Sequence, residues 1–289
     1  MAEDYDEKLT EEVINYGLEL GADKIGIADA ERAEEPPHGH GDPQYILKGA
    51  KAAISIILAY PDGSIDCDHT DDLIHGGVYV HTQRALYEEL SRISLKIAKF
   101  LERKGYNAAP IAPDLPRDEK RYAGAISHRY IAQLAGLGEI GISNLFLTKE
   151  WGPRVALATV LTDAPLKTGE PDLIDRVCLK CYECVERCPT GAIERDNYPP
   201  YNFNLNKCFW GIQGWVRLTK VESPPKDWVE ARPTASIMIP KYEQKYPQIK
   251  EYQEWAERLG DFPYCAICMQ VCKVGIKAKS KKEDIREKK

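Results

Sequence analysis

The chain has 289 residues, 39 Lys and Arg against 45 Asp and Glu, a formal charge of −6 and an apolar fraction of 43%. That balance excludes a mostly disordered, collagen-like or coiled-coil chain and gives no global attraction to nucleic acid. The best apolar run, Ala52 to Tyr60, falls well short of the roughly 18 residues a membrane helix needs. The opening Met-Ala-Glu-Asp-Tyr-Asp-Glu shows no basic n-region, apolar h-region or twin-arginine pair, so a cytoplasmic protein is expected.

Residues 7–20 read as an amphipathic helix with Thr10 as a candidate cap. Ala22 to Ala28 reads as a short strand, and Pro36 to Pro43 as a loop on turn chemistry. Ala52 to Tyr60 is apolar and rich in β-branched residues, which predicts a buried central strand ended by Pro61-Asp62-Gly63. Over 81–104, Leu86, Leu90, Ile93, Ile97 and Leu101 share one face of a long helix stopped by Gly105. Tyr106 to Ala112 and Val155 to Leu161 supply two further strands. This order predicts an α/β (α+β) domain over residues 1–170, a ferredoxin-like module over 171–275 and a basic tail over 276–289. Phe209 to Tyr264 reads as an insertion rich in Trp and Pro, placed to cover part of the module. The last 17 residues hold eight Lys or Arg against three acids, a solvated tail or a docking segment for an acidic partner.

Nine cysteines carry the chemistry, at 67, 178, 181, 184, 188, 208, 265, 268 and 272. A disulfide framework belongs to small secreted chains, and this is neither. Cys178, Cys181, Cys184 and Cys188 form C-x2-C-x2-C-x3-C followed by Pro189, the bacterial-ferredoxin pattern for a [4Fe–4S] cluster, whose fourth cysteine ligates a second cluster. Cys265, Cys268 and Cys272 form C-x2-C-x3-C, and Cys208 stands between the groups. The expected sets are Cys178, Cys181, Cys184 and Cys272 for one cluster, and Cys188, Cys208, Cys265 and Cys268 for the other, with the second set the more buried. Paired C-x2-C units also bind zinc, but a zinc site has no need of the fourth cysteine and proline, and no histidine lies in this region. Cys67 is left over, flanked by Asp66 and Asp68, whose charge would raise its pKa.

Histidines 38, 40, 69, 75, 81 and 128 show no metal-binding spacing. Gly136-x-Gly138-x-x-Gly141 matches the dinucleotide fingerprint, but it follows a helical pattern rather than a strand, which argues against nucleotide binding. Neither a Walker motif nor a G-x-S-x-G elbow is present.

Two segments before the cysteines are distinctive. One runs Ile126-Ser127-His128-Arg129-Tyr130-Ile131-Ala132-Gln133-Leu134-Ala135-Gly136-Leu137-Gly138-Glu139-Ile140-Gly141. The other runs Trp151-Gly152-Pro153-Arg154-Val155 and on to Leu161-Thr162-Asp163-Ala164-Pro165-Leu166. Followed by the ferredoxin run, they resemble the reductive dehalogenases and their relatives the epoxyqueuosine reductases, over roughly residues 96–272. The resemblance implies a nitroreductase-like α/β domain holding base-off cobalamin. Two [4Fe–4S] clusters would pass electrons to cobalt, from a ferredoxin or flavodoxin, to reduce a small organic substrate. In that setting Gly138, Ser143, Asn144 and Thr148 are candidate contacts to the corrin, with simple helix capping by Ser143 or Asn144 as the alternative. Arg154 is a candidate contact to corrinoid or substrate, or else a surface ion pair. The epoxyqueuosine reductases carry an Asp proton donor where this chain reads Arg121-Tyr122-Ala123-Gly124-Ala125, without a carboxylate. Dehalogenases use a tyrosine beside a basic residue, and Tyr122 or Tyr130, beside Arg121 or Arg129, are the candidates here. A neighbouring cation makes a tyrosine the stronger acid. A dehalogenase-like reductase is the leading expectation. The alternatives are an epoxyqueuosine-type enzyme acting on tRNA, a dicluster electron carrier or corrinoid-reactivating protein, and a flavin in the same domain.

Overall fold

The computed structural model describes residues 5–33, 42–66, 77–113, 117–118, 123–171, 176–195, 203–259 and 265–275. The first part holds α1 (Glu7–Glu19), β1 (Lys24–Asp29), α2 (Pro43–Ile46), β2 (Ala52–Ala59), α3 (Asp62–Ile65), α4 (Gly77–Arg103) and β3 (Ala108–Ile111). It continues through β4 (Arg117–Asp118), β5 (Ala123–Gly124), α5 (His128–Leu134), β6 (Glu139–Ile140), β7 (Phe146–Leu147) and β8 (Val155–Thr162). The second part is helical: α6 (Glu183–Glu186), α7 (Leu205–Ile212), α8 (Trp215–Thr219), α9 (Lys226–Val229), α10 (Ile239–Lys245), α11 (Pro247–Leu259) and α12 (Ile267–Gln270).

Four strands form one antiparallel sheet in the order β1-β2-β8-β3. β2 and β8 pair along their whole length, from Ala52↔Thr162 to Ala59↔Val155. Alternation splits their side chains between two cores. Ile54, Ile56, Leu58, Ala158 and Val160 face one, beneath α1 and α4; Ala53, Ile57, Leu157 and Leu161 face the other, beneath α5. Both faces are covered, so an antiparallel strand reads as a nearly continuous apolar run instead of alternating with polar residues. The expected helix over 81–104 begins earlier, at Gly77, because Tyr79 and Val80 are also buried and Tyr79 stacks on Tyr60 at 5.5 Å.

Thr10 is not the cap of α1. Asp6 is, its carboxylate accepting from Leu9 N at 2.9 Å, while Thr10 Oγ1 donates to Asp6 O and accepts from Lys167 N. Of the loop expected over 36–43 only Asp42 and Pro43 are described, and they cap and open α2. Cys67, His38, His40, His69, His75, Arg121, Tyr122 and the tail after Gly275 lie outside the described residues.

The insertion is a compact helical unit. Trp210, Trp215, Trp228 and Tyr242 are fully buried in it, with the three indoles 4.7–5.2 Å apart. Buried Asn206 ties it together: its amide nitrogen donates to Val229 O and Ala231 O, and its Oδ1 accepts from Ala235 N. The last cysteine segment packs elsewhere. Ala266 and Met269 enter the sheet core under α4, and Gln270 Nε2 donates to Ile65 O at 2.7 Å. Among the described residues, no helix is long and apolar enough to cross a membrane.

Candidate metal centre

The loop from Cys178 to Cys184 turns through left-handed Lys180 (φ 52°) and Tyr182 (φ 60°), which folds the chain back on itself between cysteines. Burial first, then the neighbouring thiols of Cys178, Cys272 and Cys181, push the Cys184 thiol up to about 12. Burial, then Cys265 and Cys188, push Cys208 up to about 12. Cys268 is raised well above its ordinary value by burial, and next by Cys265, Cys208 and Cys188. The eight thiols thus repel one another in two sets of four, and the weaker effect of Cys184 on Cys268 shows the sets to be neighbours. Such thiols stay protonated until a metal takes the proton's place. Cys181 is exposed, and burial raises the thiols of Cys208, Cys265 and Cys268, so one set reaches the surface and the other lies deeper.

The donor chemistry discriminates between metals. A zinc ion draws its four sulfurs to about 3.8 Å of one another, as its bond length and tetrahedral shape require. Among the described residues, no three His, Cys, Asp or Glu are placed to hold a single metal ion, and the eight described cysteines form no disulfide. All-sulfur sets of four are the donor set of cubane clusters.

The sheet domain supports the first set directly. Glu139 Oε1, at the start of β6, accepts from the N–H groups of Val177 and Cys178. Glu139 lies inside the distinctive Gly-Leu-Gly-Glu segment, yet its role shows only in three dimensions. A Cβ on Gly138 would sit 2.0 Å from Leu147 O, and one on Gly141 would meet Leu147 Cδ1 at 2.8 Å and Cys178 Sγ at 3.4 Å. The G-x-G-x-x-G pattern therefore serves close packing of the β6–β7 hairpin and a cysteine sulfur. A hollow of about 380 Å³, counting the part open to solvent, lies between Ile142, Ser143, Leu147 and the first cysteine set. In the second set, Cys188 Sγ accepts from Ala192 N at 3.2 Å; hydrogen bonds to sulfur are one means of setting a cluster's potential.

The other candidate residues are placed variously. Ser143 is buried, and its Oγ accepts from Leu145 N at 3.4 Å. Asn144 is left-handed (φ 61°), and its carbonyl accepts from Arg129 Nη1. Thr148 is fully buried, its Oγ1 accepting from Trp151 N at 3.1 Å. Arg154 is 1% exposed and faces the Cys272 loop, so it is neither a surface ion pair nor turned toward an open site. The hydroxyls of Ser143 and Thr148 thus accept from the protein's own backbone, and Ser143 also lines the hollow beside the first cysteine set. Arg129 is half-buried and favours the Cys208 thiolate. Tyr130 is half-buried against the core beneath α5. His128 is pinned between Thr159 Oγ1 (2.7 Å) and Ala112 O (3.1 Å), and burial lowers its pKa to about 4.

Sheet and cysteines together define an iron–sulfur protein, an α/β domain joined to a ferredoxin-like module. The comparisons with known proteins narrow the class. A family model described as a 4Fe-4S binding domain matches residues 173–194. The chain is 28% identical over 224 residues to the epoxyqueuosine reductase of Bacillus subtilis (strain 168), covering 70% of this chain and 54% of that one. It is 32% identical over 149 residues to the tetrachloroethene reductive dehalogenase of Desulfitobacterium hafniense, 44% of this chain and 25% of that one. A solved reductive dehalogenase, described as suggesting a mechanism for B12-dependent dehalogenation, shares the fold with a TM-score of 0.56 at 20% identity, over 90% of this chain and 37% of that one. The chain spans about half the length of the epoxyqueuosine reductases it matches. The chain is thus similar in sequence to epoxyqueuosine reductases and reductive dehalogenases and shares its fold with a solved dehalogenase.

Proposed function

We propose that this chain is an iron–sulfur reductase in which two [4Fe–4S] clusters carry electrons into the α/β domain, where an organic substrate is reduced. The observation that carries the reading is the pair of adjacent four-cysteine sets, one reaching the surface and one deeper. Cys178, Cys181, Cys184 and Cys272 hold the outer cluster; Cys188, Cys208, Cys265 and Cys268 hold the inner one. Electrons enter near exposed Cys181 from a ferredoxin or flavodoxin.

A wire of two clusters needs an acceptor, and the B12 dependence described for the solved dehalogenase makes base-off cobalamin the first to test. When bound, a corrinoid supplies a low-potential cobalt centre. Gly138, Ser143, Asn144 and Thr148 are the candidates to line its site. Tyr130 and Tyr122 are the proton-donor candidates, and Arg129 is the third candidate catalytic residue. A halogenated organic compound is the leading substrate class, because the Arg121–Ala125 stretch lacks a carboxylate and a charge of −6 does not favour tRNA. Reduction of an epoxide-bearing tRNA base is the second reading, favoured by the longer match to epoxyqueuosine reductases, 70% of this chain against 44%.

The test is iron, sulfide and cobalt content after anaerobic purification and incubation with cobalamin. About eight irons with about one cobalt supports the reading. About eight irons without cobalt redirects it to a dicluster carrier or a flavin enzyme, and no iron overturns it.

A further inference from the structure

Arg154 opens β8 at the centre of the sheet, and its side chain is 1% exposed. Burying a guanidinium is costly unless charge and hydrogen bonds compensate it. The protein's own compensation is thin. Asp62 Oδ1 is 3.6 Å from Nε, beyond hydrogen-bond reach, on a side chain 41% exposed. Among the described residues, Nε has no hydrogen-bond partner. Nη1 and Nη2 reach the carbonyls of Val274 and Gln270 only at 3.4 Å each. Those carbonyls bracket Cys272, one two residues before it and one two residues after. The placement is rigid. A Cβ on Gly152 would sit 2.2 Å from Val274 O, and one on Gly275 would sit 2.2 Å from Trp151 C, so the cysteine loop lies directly on the turn that leads into Arg154.

A cubane cluster ligated by four thiolates carries net negative charge, and reduction adds one more. We infer that Arg154 is the buried counter-charge of the cluster held by Cys178, Cys181, Cys184 and Cys272, and a positioning residue that raises its reduction potential. The inference rests on the cluster reading above. It reassigns the arginine from substrate or corrinoid contact to control of the outer step of the wire. A nearby cation stabilises the more negative, reduced state, so the sign of its effect is defined.

The experiment compares wild type, Arg154→Met, Arg154→Lys and Asp62→Asn, each loaded with iron and sulfide but no corrinoid. Iron is counted, and both cluster potentials are read by an EPR-monitored redox titration. Arg154→Met is expected to lower one potential by about 59 mV or more, a tenfold fall in a one-electron reduction equilibrium, while the other stays in place. Arg154→Lys keeps most of the wild-type value. Asp62→Asn removes the competing negative charge and moves the same potential upward. A fully loaded Arg154→Met with wild-type potentials overturns the inference, as does an equal drop in the Lys variant, which would mark a packing role. If Arg154→Met fails to fold, Asp62→Asn decides alone, and an unmoved or lowered potential there overturns it. A wild-type chain that takes up no iron overturns the cluster reading and this inference together.

Discussion

The sheet and the first cysteine loop are held by different forces. β2 and β8 bury nearly every side chain on both faces. α6, between Cys181 and Cys188, has no buried residue at all. One region has an apolar core that stabilises it without help; the other has only sulfur ligands and a few hydrogen bonds, such as those to Glu139. A region of that second kind folds with its metal.

Removing iron is the sharpest way to break this contrast. Anaerobic chelation is expected to take the amides of residues 178–192 to unprotected exchange rates while those of residues 52–59 and 155–162 keep their protection. Equal loss in both regions would show that the sheet also depends on the clusters. Next in size is Ile56→Ala, which empties part of the core under α4. It is expected to lower stability by about 2–5 kcal/mol, read by denaturant unfolding, with iron per folded chain unchanged.

The pH response adds a third test. The pKa of His128 lies near 4 in the fold against 6.5 for the free side chain, so the unfolded chain takes up the proton first as pH falls. Stability from this residue is full above about 6.5 and is lost on descending through about 4, on the order of 3 kcal/mol in total. His128→Gln should flatten that slope, and an unchanged slope would place the acid sensitivity elsewhere. The smallest effect is expected at the cap of α1, where Asp6→Ala should cost about 1 kcal/mol by thermal unfolding and leave both cluster spectra unaltered.

Periodicity made the sheet elements legible. The apolar runs at 52–60 and 155–161 and the five-residue stripe of α4 fall where strands and helix stand, because burial imposes a period on whatever it covers. Cap and boundary were less legible. Asp6 and Thr10 both suit an N-cap, and the backbone angles of Asp6 decide between them. The Trp-rich insertion declared its composition but not its packing, since an indole has no period and Asn206 reaches segments 23 to 29 residues away.

By itself the sequence determined the chemistry: eight cysteines at spacings that suit cubane iron–sulfur ligation, an α/β core built to be covered on both sides, and a resemblance to the reductive dehalogenases and epoxyqueuosine reductases. Local spacing and period carry those, because they depend on near neighbours along the chain. Only the tertiary structure decided what each remaining residue faces. It turned Arg154 from a supposed surface or cofactor contact into a buried cation under the Cys272 loop. It made the G-x-G-x-x-G glycines clearances for a hairpin and a sulfur, and drew Ala266 and Met269 into the core of the sheet domain. These contacts join residues from nine positions apart, as from Gly138 to Leu147, to more than a hundred, as from Arg154 to Gln270, and the longest pairings arise only when the whole chain closes on itself.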